Sequence, residues 1–336
     1  MSTMETIQIG TSGITASRIA LGTWAIGGWM WGGTDVDESI GTIRSAVERG
    51  IRLIDTAPVY GFGRSEEIVG TALSQGLRDR TVIATKVGLE WRNGRVWRNS
   101  SPARIRMEAE ASLRRLRTDY IDLYQVHWPD PLVPIQETAE ALARLLAEGK
   151  IRAIGVSNFS SAQMAQFQEA APIHAVQPPY NLFEREAESD ILPYAGLHGI
   201  TVLCYGALCR GLLTGKISRD TEFKGDDLRR NDPKFKEPRF SQYLAAVAAL
   251  DRYVHERYGK SVLALAVRWL LDQGDTIALW GARHPAQLDQ VDDATGWQLD
   301  DEAKRRIDEI LRETVKDPVG PEFMAPPSRN QPALAA

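Results

Sequence analysis

The stretch LIDTAPVYGFGRSE, residues 53–66, decides the fold, because it ends an apolar run on an acid and then sets a phenol on the loop beyond. Leu53 and Ile54 read as the end of a buried strand. Pro58, Gly61 and Gly63 break regular structure, so Asp55 closes the strand and Tyr60 stands on the following loop. A strand end facing a loop is where barrel enzymes keep their chemistry. Two later apolar runs finish the same way: VIATK closes on Lys86 and YIDLYQVH closes on His127. Four polar groups are therefore expected to converge on one rim.

Outward from this stretch the chain repeats strand and helix. Residues 5–18 alternate apolar and polar around Gly10 and Gly13, a hairpin expected to plug one end of the fold. A strand at 19–21 leads into GTWAIGGWMWGG, whose Trp24, Trp29 and Trp31 are read as a wall of a substrate pocket. In the helix at 35–49, Val36, Ile40, Ile43 and Val47 share one face, Asp35 and Glu38 form a capping pair, and Gly50 is the stop. There follow the strand to Asp55, a helix at 65–73 and a strand at 82–86. A helix opened by Ser101 and Pro102 comes next, with Ile105, Ala109, Ser112, Leu113 and Leu116 inward, then the strand to His127 and a helix at 135–148. Strands at 153–156, 175–177, 201–205 and 277–280 then alternate with helices at 160–169, 185–198, 242–271 and 285–292, with Ser160 and Gln163 as a capping box. Apolar strands that need cover on their outer face, repeated eight times, close into a (β/α)8 TIM barrel of the α/β class. The expectation is one domain over residues 1–336, with an additional helix at 300–312 and an irregular Pro-rich tail from residue 317. Two connections are too long for turns, 216–240 and 88–101; the second carries Trp91 and Trp97 over the same rim.

Bulk properties narrow the function classes. A net charge of -4 with no long basic run argues against nucleic acid or a membrane surface as the main partner. Cys204 and Cys209 alone give no disulfide framework. The five histidines show no metal-ligand spacing, so no metal site is expected. No run of eighteen apolar residues occurs, and the amino terminus lacks a basic region followed by an apolar one, so a cytoplasmic location is expected. A GxG without a GxGxxG after the first strand disfavours a Rossmann fold.

The segments GIRLIDTAPVYGFGRSE, VIATKV, DYIDLYQVH and GVSNF, in this order and at similar spacing, resemble the aldo-keto reductase superfamily from Thr11 to about Pro327. VKDPVGPEFMAPPSRNQ, Trp280 and Arg210 resemble the branch that includes the bacterial general stress protein reductases. The resemblance implies a catalytic tetrad of Asp55, Tyr60, Lys86 and His127, and NADPH (NADP+) as cofactor, with a small carbonyl or alcohol compound as substrate. It places the dinucleotide against Gly22, Thr23, Trp24, Asp55, Ser157, Asn158, Gln177, Tyr205, Gly206, Leu208, Arg210, Gly211, Lys216, Gly281, Arg283, Gln287 and Gln290. Within that set, Tyr205 matches the ring that stacks on the nicotinamide, and Ser157, Asn158 and Gln177 match the groups that hold its carboxamide. Arg283 and Gln287 match positions contacting the 2'-phosphate; Gln290 and Val291 depart from the Glu and Asn that often hold the adenine. Segment 216–240 corresponds to one that folds over the dinucleotide.

The chemistry is coherent by itself. Tyr60 is the natural proton donor to a carbonyl oxygen, Lys86 is expected to lower its pKa, Asp55 to hold Lys86, and His127 to orient and polarise the carbonyl. Arg210 and Lys216 are read as counter-charges to a pyrophosphate, with Gly206, Gly211 and Gly215 permitting close approach. The rival reading is a cofactor-binding subunit without turnover, since potassium-channel β-subunits share this fold.

Overall fold

The computed structural model describes residues 4–74 and 76–331. An antiparallel hairpin, β1 (Thr6–Gln8) and β2 (Thr15–Ser17), precedes β3 (Ile19–Gly22), α1 (Val36–Glu48), β4 (Leu53–Asp55), α2 (Arg64–Ala72) and β5 (Val82–Val87). Then come β6 (Leu89–Arg92), β7 (Arg95–Arg98), α3 (Pro102–Leu116), β8 (Ile121–Val126), α4 (Ile135–Ala147), β9 (Ile151–Ser157), α5 (Ser161–Gln168) and β10 (Ala175–Gln177). The chain continues with α6 (Ile191–His198), β11 (Thr201–Cys204), α7 (Arg239–Tyr258), α8 (Val262–Leu271), β12 (Thr276–Gly281) and α9 (Asp301–Thr314). Eight strands close in the order β10-β11-β12-β3-β4-β5-β8-β9, every neighbouring pair parallel. This is the (β/α)8 barrel that the strand pattern requires.

Side chains alternate across each strand, and the alternation sorts the core into two layers. Ile54, Ile83, Tyr124, Val126, Ile154 and Val176 face outward into the packing between strands and helices. Leu53, Val82, Ala84, Leu123, Ala153, Ala175, Leu203 and Ile277 face inward and meet Ile9 and Ala16 of the hairpin, which closes that end of the barrel. Gly10 is required there, since a Cβ on it would sit 2.5 Å from the His174 carbonyl oxygen, and its φ is +50°. Continuing the inward phase toward the strand ends brings up Asp55, Lys86, Gln125, Ser157 and Gln177, so the closed floor and the polar mouth come from one period-two pattern.

Capping follows the sequence. The Asp35 carboxylate accepts from the Glu38 amide at 2.9 Å, Ser101 with Pro102 opens α3, and Ser160 and Gln163 form a reciprocal box. Three expected helices differ. The 242–271 pattern is two helices, because Gly259 at φ +64° stops α7 and Ser261 caps α8. The 185–198 segment is a 3-10 turn followed by α6, which begins at Ile191 so that Pro193 falls in its first turn. At 285–292 there are two short 3-10 turns, because the Gln287 side chain accepts from the Arg283 amide at 2.7 Å and folds the loop back. Residues 88–101 are not an irregular excursion: Asn93 and Gly94, both at positive φ, turn β6 into β7.

Both remaining irregular segments are anchored. In 216–240, the Asp226 carboxylate accepts from the amides of Met30 and Gly32 at 2.8 and 3.0 Å, tying that strap to the tryptophan loop. The tail meets β7, where the Arg98 amide donates to the Pro327 carbonyl at 2.9 Å and Arg329 pairs with Asp130 at 3.2 Å. The tail's last five residues, 332–336, lie outside the described residues. No helix among the described residues is long and apolar enough to cross a membrane.

Candidate active site

β4 carries Asp55 to the mouth of the barrel, and the loop after it is held by a glycine contact. A Cβ on Gly61 would run into the Gly27 carbonyl, and one on Gly27 would sit 2.5 Å from the Tyr60 carbonyl carbon, so the tryptophan loop lies directly on the Tyr60 backbone. That contact aims the phenol. Trp24 stacks beside the Tyr60 ring at 6.0 Å and 23°, and His127 meets it edge-on at 5.8 Å and 82°. Phe62, Trp29 and Trp91 extend this aromatic wall, with ring centroids 4.8 and 5.8 Å apart.

Beneath the phenol lies a buried charge pair. The Lys86 ammonium donates to Asp55 Oδ2 at 2.6 Å and to the Thr56 carbonyl at 3.0 Å, and stands 5.1 Å from the centre of the Tyr60 ring. Burial pulls the Lys86 pKa down and Asp55 partly restores it. The expected lowering of the Tyr60 pKa by Lys86 is not what this arrangement produces. Burial first, then the charges of Asp55 and Tyr205, push the phenol well above its ordinary range. His127 is driven well below the usual imidazole range by burial and by Lys86, so it is neutral at pH 7. Neither the Tyr60 hydroxyl nor the His127 ring takes a hydrogen-bond partner from the described residues, although neither is sealed from solvent.

Beside this group the ends of β9, β10 and β11 gather four of the residues marked for the nicotinamide. The Tyr205 hydroxyl donates to Asn158 Oδ1 at 2.9 Å, Asn158 Nδ2 donates to the His127 carbonyl at 3.0 Å, and the Ser157 hydroxyl donates to the Gln177 carbonyl at 2.8 Å. Gln177 Nε2 donates to Asp55 Oδ1 at 2.9 Å, linking this row to the charge pair. Gly22 lies beside Gly281 in the barrel register, and Trp24 lies two residues further on in the loop. Thr23 is buried and donates to the Asp55 carbonyl at 2.9 Å, which makes its hydroxyl a brace for the strand end.

The residues marked for the phosphates divide. Lys216 is exposed beyond Gly215, and Gly206 and Gly211 adopt φ of +70° and +97° on either side of Leu208. Arg283 donates to the Trp31 carbonyl at 2.9 Å, joining the end of β12 to the tryptophan loop, while Gln290 is exposed one turn further on. Arg210, expected as a counter-charge to a pyrophosphate, is committed to carboxylates of the chain itself. Its guanidinium is buried, paired with Glu184 at 2.5 Å and with Asp232, and Lys234 adds a second cation to Glu184 at 2.8 Å. Burial alone would raise the Glu184 carboxyl, but Arg210 and Lys234 outweigh it and hold it below the usual carboxylate range. This cluster clasps the strap to the barrel. The sequence reading missed the clasp, because ion pairs at separations of 22 and 26 residues leave no periodic signal. It also missed Gln125, which shares the inward phase of Leu123 and His127 and was therefore visible in the alternation.

A closed parallel barrel with a free phenol and a neutral imidazole over a buried ammonium–carboxylate pair has the architecture of an oxidoreductase acting on carbonyl and alcohol groups. The chain belongs to the aldo/keto reductase family, whose sequence profile matches residues 18–312. It is similar to the aldo-keto reductase YhdN of Bacillus subtilis, 61% identical over 98% of this chain and 100% of that protein. It is 40% identical to the NADH-specific methylglyoxal reductase of Escherichia coli, over 85% of this chain and 91% of that one. Among solved structures, the glycerol dehydrogenase AKR11B4 of Gluconobacter oxydans superposes with a TM-score of 0.87 at 57% identity, covering 95% of this chain and 99% of that one. An aldo/keto reductase of Klebsiella pneumoniae in complex with NADP and acetate gives 0.71 at 28% identity, covering 92% and 96%.

Proposed function

We propose that the protein interconverts short-chain aldehydes or ketones and the corresponding alcohols with NADPH, Tyr60 acting as the proton donor at the carbonyl oxygen. The observation that carries this is the pair of unpartnered groups, the Tyr60 hydroxyl and the His127 ring, over the buried Lys86–Asp55 pair. The residues fit a nicotinamide. Gln177 is 2% exposed, yet its Oε1 takes no partner among the described residues, and the Tyr205 ring is fixed beside it through Asn158. Bound there, the reduced dinucleotide supplies the hydride. His127, neutral, donates a hydrogen bond to the carbonyl oxygen and cannot itself release a proton at pH 7, so the proton comes from Tyr60. Short substrates are favoured by the two relatives whose names specify methylglyoxal and glycerol. The chain is one domain acting on small molecules, and a cytoplasmic setting agrees with NADPH as reductant. Steady oxidation of NADPH with a panel of two- to four-carbon aldehydes is the test; binding without turnover would leave the non-catalytic subunit.

The sign of the pH dependence follows from the raised Tyr60 pKa. Reduction needs the phenol protonated, and protonation is complete until pH rises through a value above the ordinary ~10. The expected kcat for reduction is therefore flat from about pH 6 to 9, while alcohol oxidation, which needs the phenolate, rises roughly tenfold per pH unit. Paired pH–rate profiles check this, and a reduction limb that falls with an apparent pKa below 8 would sink it. For the cofactor, Arg283→Ala should weaken NADPH by about 10- to 100-fold, the worth of one charge-assisted bond to a phosphate, and NADH hardly at all. Equal losses in the two titrations would remove Arg283 from the 2'-phosphate.

A further inference from the structure

We infer that Gln125 is a positioning residue that fixes which end of the Gln177 amide faces the nicotinamide pocket. This deepens the proposed function, resting on its assignment of Gln177 to the carboxamide. Gln125 ends the inward face of β8, buried beneath the mouth between Asp55 and Gln177. Its Oε1 accepts from Gln177 Nε2 at 3.2 Å, and its own Nε2 donates to Asp55 Oδ1 at 3.3 Å. Gln177 Nε2 donates as well to that same Asp55 oxygen, at 2.9 Å. Both amide hydrogens of Gln177 are thus committed downward, one to each neighbour. Only Oε1 remains for the pocket.

The consequence is a site that accepts a hydrogen bond at that point and offers none. A flipped Gln177 would set its carbonyl oxygen against the Asp55 carboxylate and the Gln125 carbonyl, two acceptors facing a third, in a buried site where unmade polar contacts are costly. Gln125 has room to reach Asp55 only because its register partner on β9 is Gly155, where a Cβ would stand 2.8 Å from Gln125 Cγ. The vacancy at Gly155 and the amide at Gln125 are one device. It selects a ligand group that donates, as a carboxamide NH2 does, over one that only accepts.

The experiment compares dissociation constants of NADP+ and of its acetylpyridine analogue, whose acetyl group lacks the NH2, by quenching of tryptophan fluorescence in the full-length enzyme. The wild type is expected to prefer NADP+ by about tenfold, the worth of one buried neutral hydrogen bond. Gln125→Met, similar in length and without polar hydrogens, should bring that ratio close to one. Gln125→Glu should restore it, since a carboxyl held protonated by Asp55 both donates and accepts as the amide did. Gly155→Ala, which leaves both amides in place but displaces Gln125, should lose the preference as Gln125→Met does, and serves where that variant folds poorly. A wild-type ratio in both Gln125→Met and Gly155→Ala overturns the inference. Gln177→Leu separates the two levels. If it abolishes the preference while Gln125→Met and Gly155→Ala both keep it, only the positioning role fails; if it leaves the preference intact, the carboxamide assignment fails with it.

Discussion

Tyr60→Phe is expected to lower kcat for aldehyde reduction by about 10²- to 10⁴-fold, the usual worth of a positioned general acid. Phenylalanine keeps the ring that Trp24 flanks at 6.0 Å, that His127 meets at 5.8 Å and that Lys86 stands over at 5.1 Å, so the pocket wall is preserved and only the hydroxyl is lost. The dissociation constant for NADPH should stay near the wild-type value. Because the proton moves only in the reaction, kcat and kcat/KM should fall together. No neighbour can take over at neutral pH, since His127 is already deprotonated and Lys86 is held by Asp55 and the Thr56 carbonyl. Stopped-flow NADPH oxidation with a saturating aldehyde gives the chemical step directly. A variant retaining more than a tenth of the wild-type rate would show that another group supplies the proton.

How much of this was legible in the sequence depends on how far apart the cooperating residues lie. The barrel was legible because each strand declares itself over a few residues: VIATKV and IDLYQV are short, fully buried runs with the Ser101-capped α3 between them. The tetrad was legible because each member ends a strand or stands on the loop after one. Asn93-Gly94, between Trp91 and Trp97, carries an equally plain hairpin-turn signal. The break at Gly259 was hidden because apolar residues continue on both sides of it, on one face of α7 and all round α8. Electrostatics was the least legible level. That Lys86 lies near Tyr60 could be read from strand ends; that burial, with Asp55 next, raises the phenol depends on how the separate strands close around it.

Arg210 shows the same limit at larger cost, and it supplies the second large expected effect. A glycine-rich turn with an arginine suggests a pyrophosphate cradle, and nothing within the turn contradicts it. The contradiction comes from Glu184, after β10, and from Asp232, in the strap, whose carboxylates occupy the guanidinium where all three side chains are at most 3% exposed. Removing one partner from a buried cluster costs more than the contact contributed, because the charges left behind have already been desolvated. Arg210→Met fills similar space without charge and leaves Asp232, among the described residues, facing only the Lys234 amide at 2.9 Å, while Glu184 keeps the Lys234 ammonium. The expected loss is about 3 kcal/mol, in the range measured for broken buried pairs, and for a chain of this size that lowers Tm by roughly 5 °C. A phosphate counter-charge would behave oppositely, since its loss would weaken NADPH and NADH alike and leave the melting temperature of the free protein in place. Thermal unfolding without cofactor, set beside the two cofactor titrations, tells these apart. Should Tm hold while both affinities collapse, the clasp would yield to the phosphate reading, and the strap would have to be held by the Asp226 contacts to Met30 and Gly32 instead.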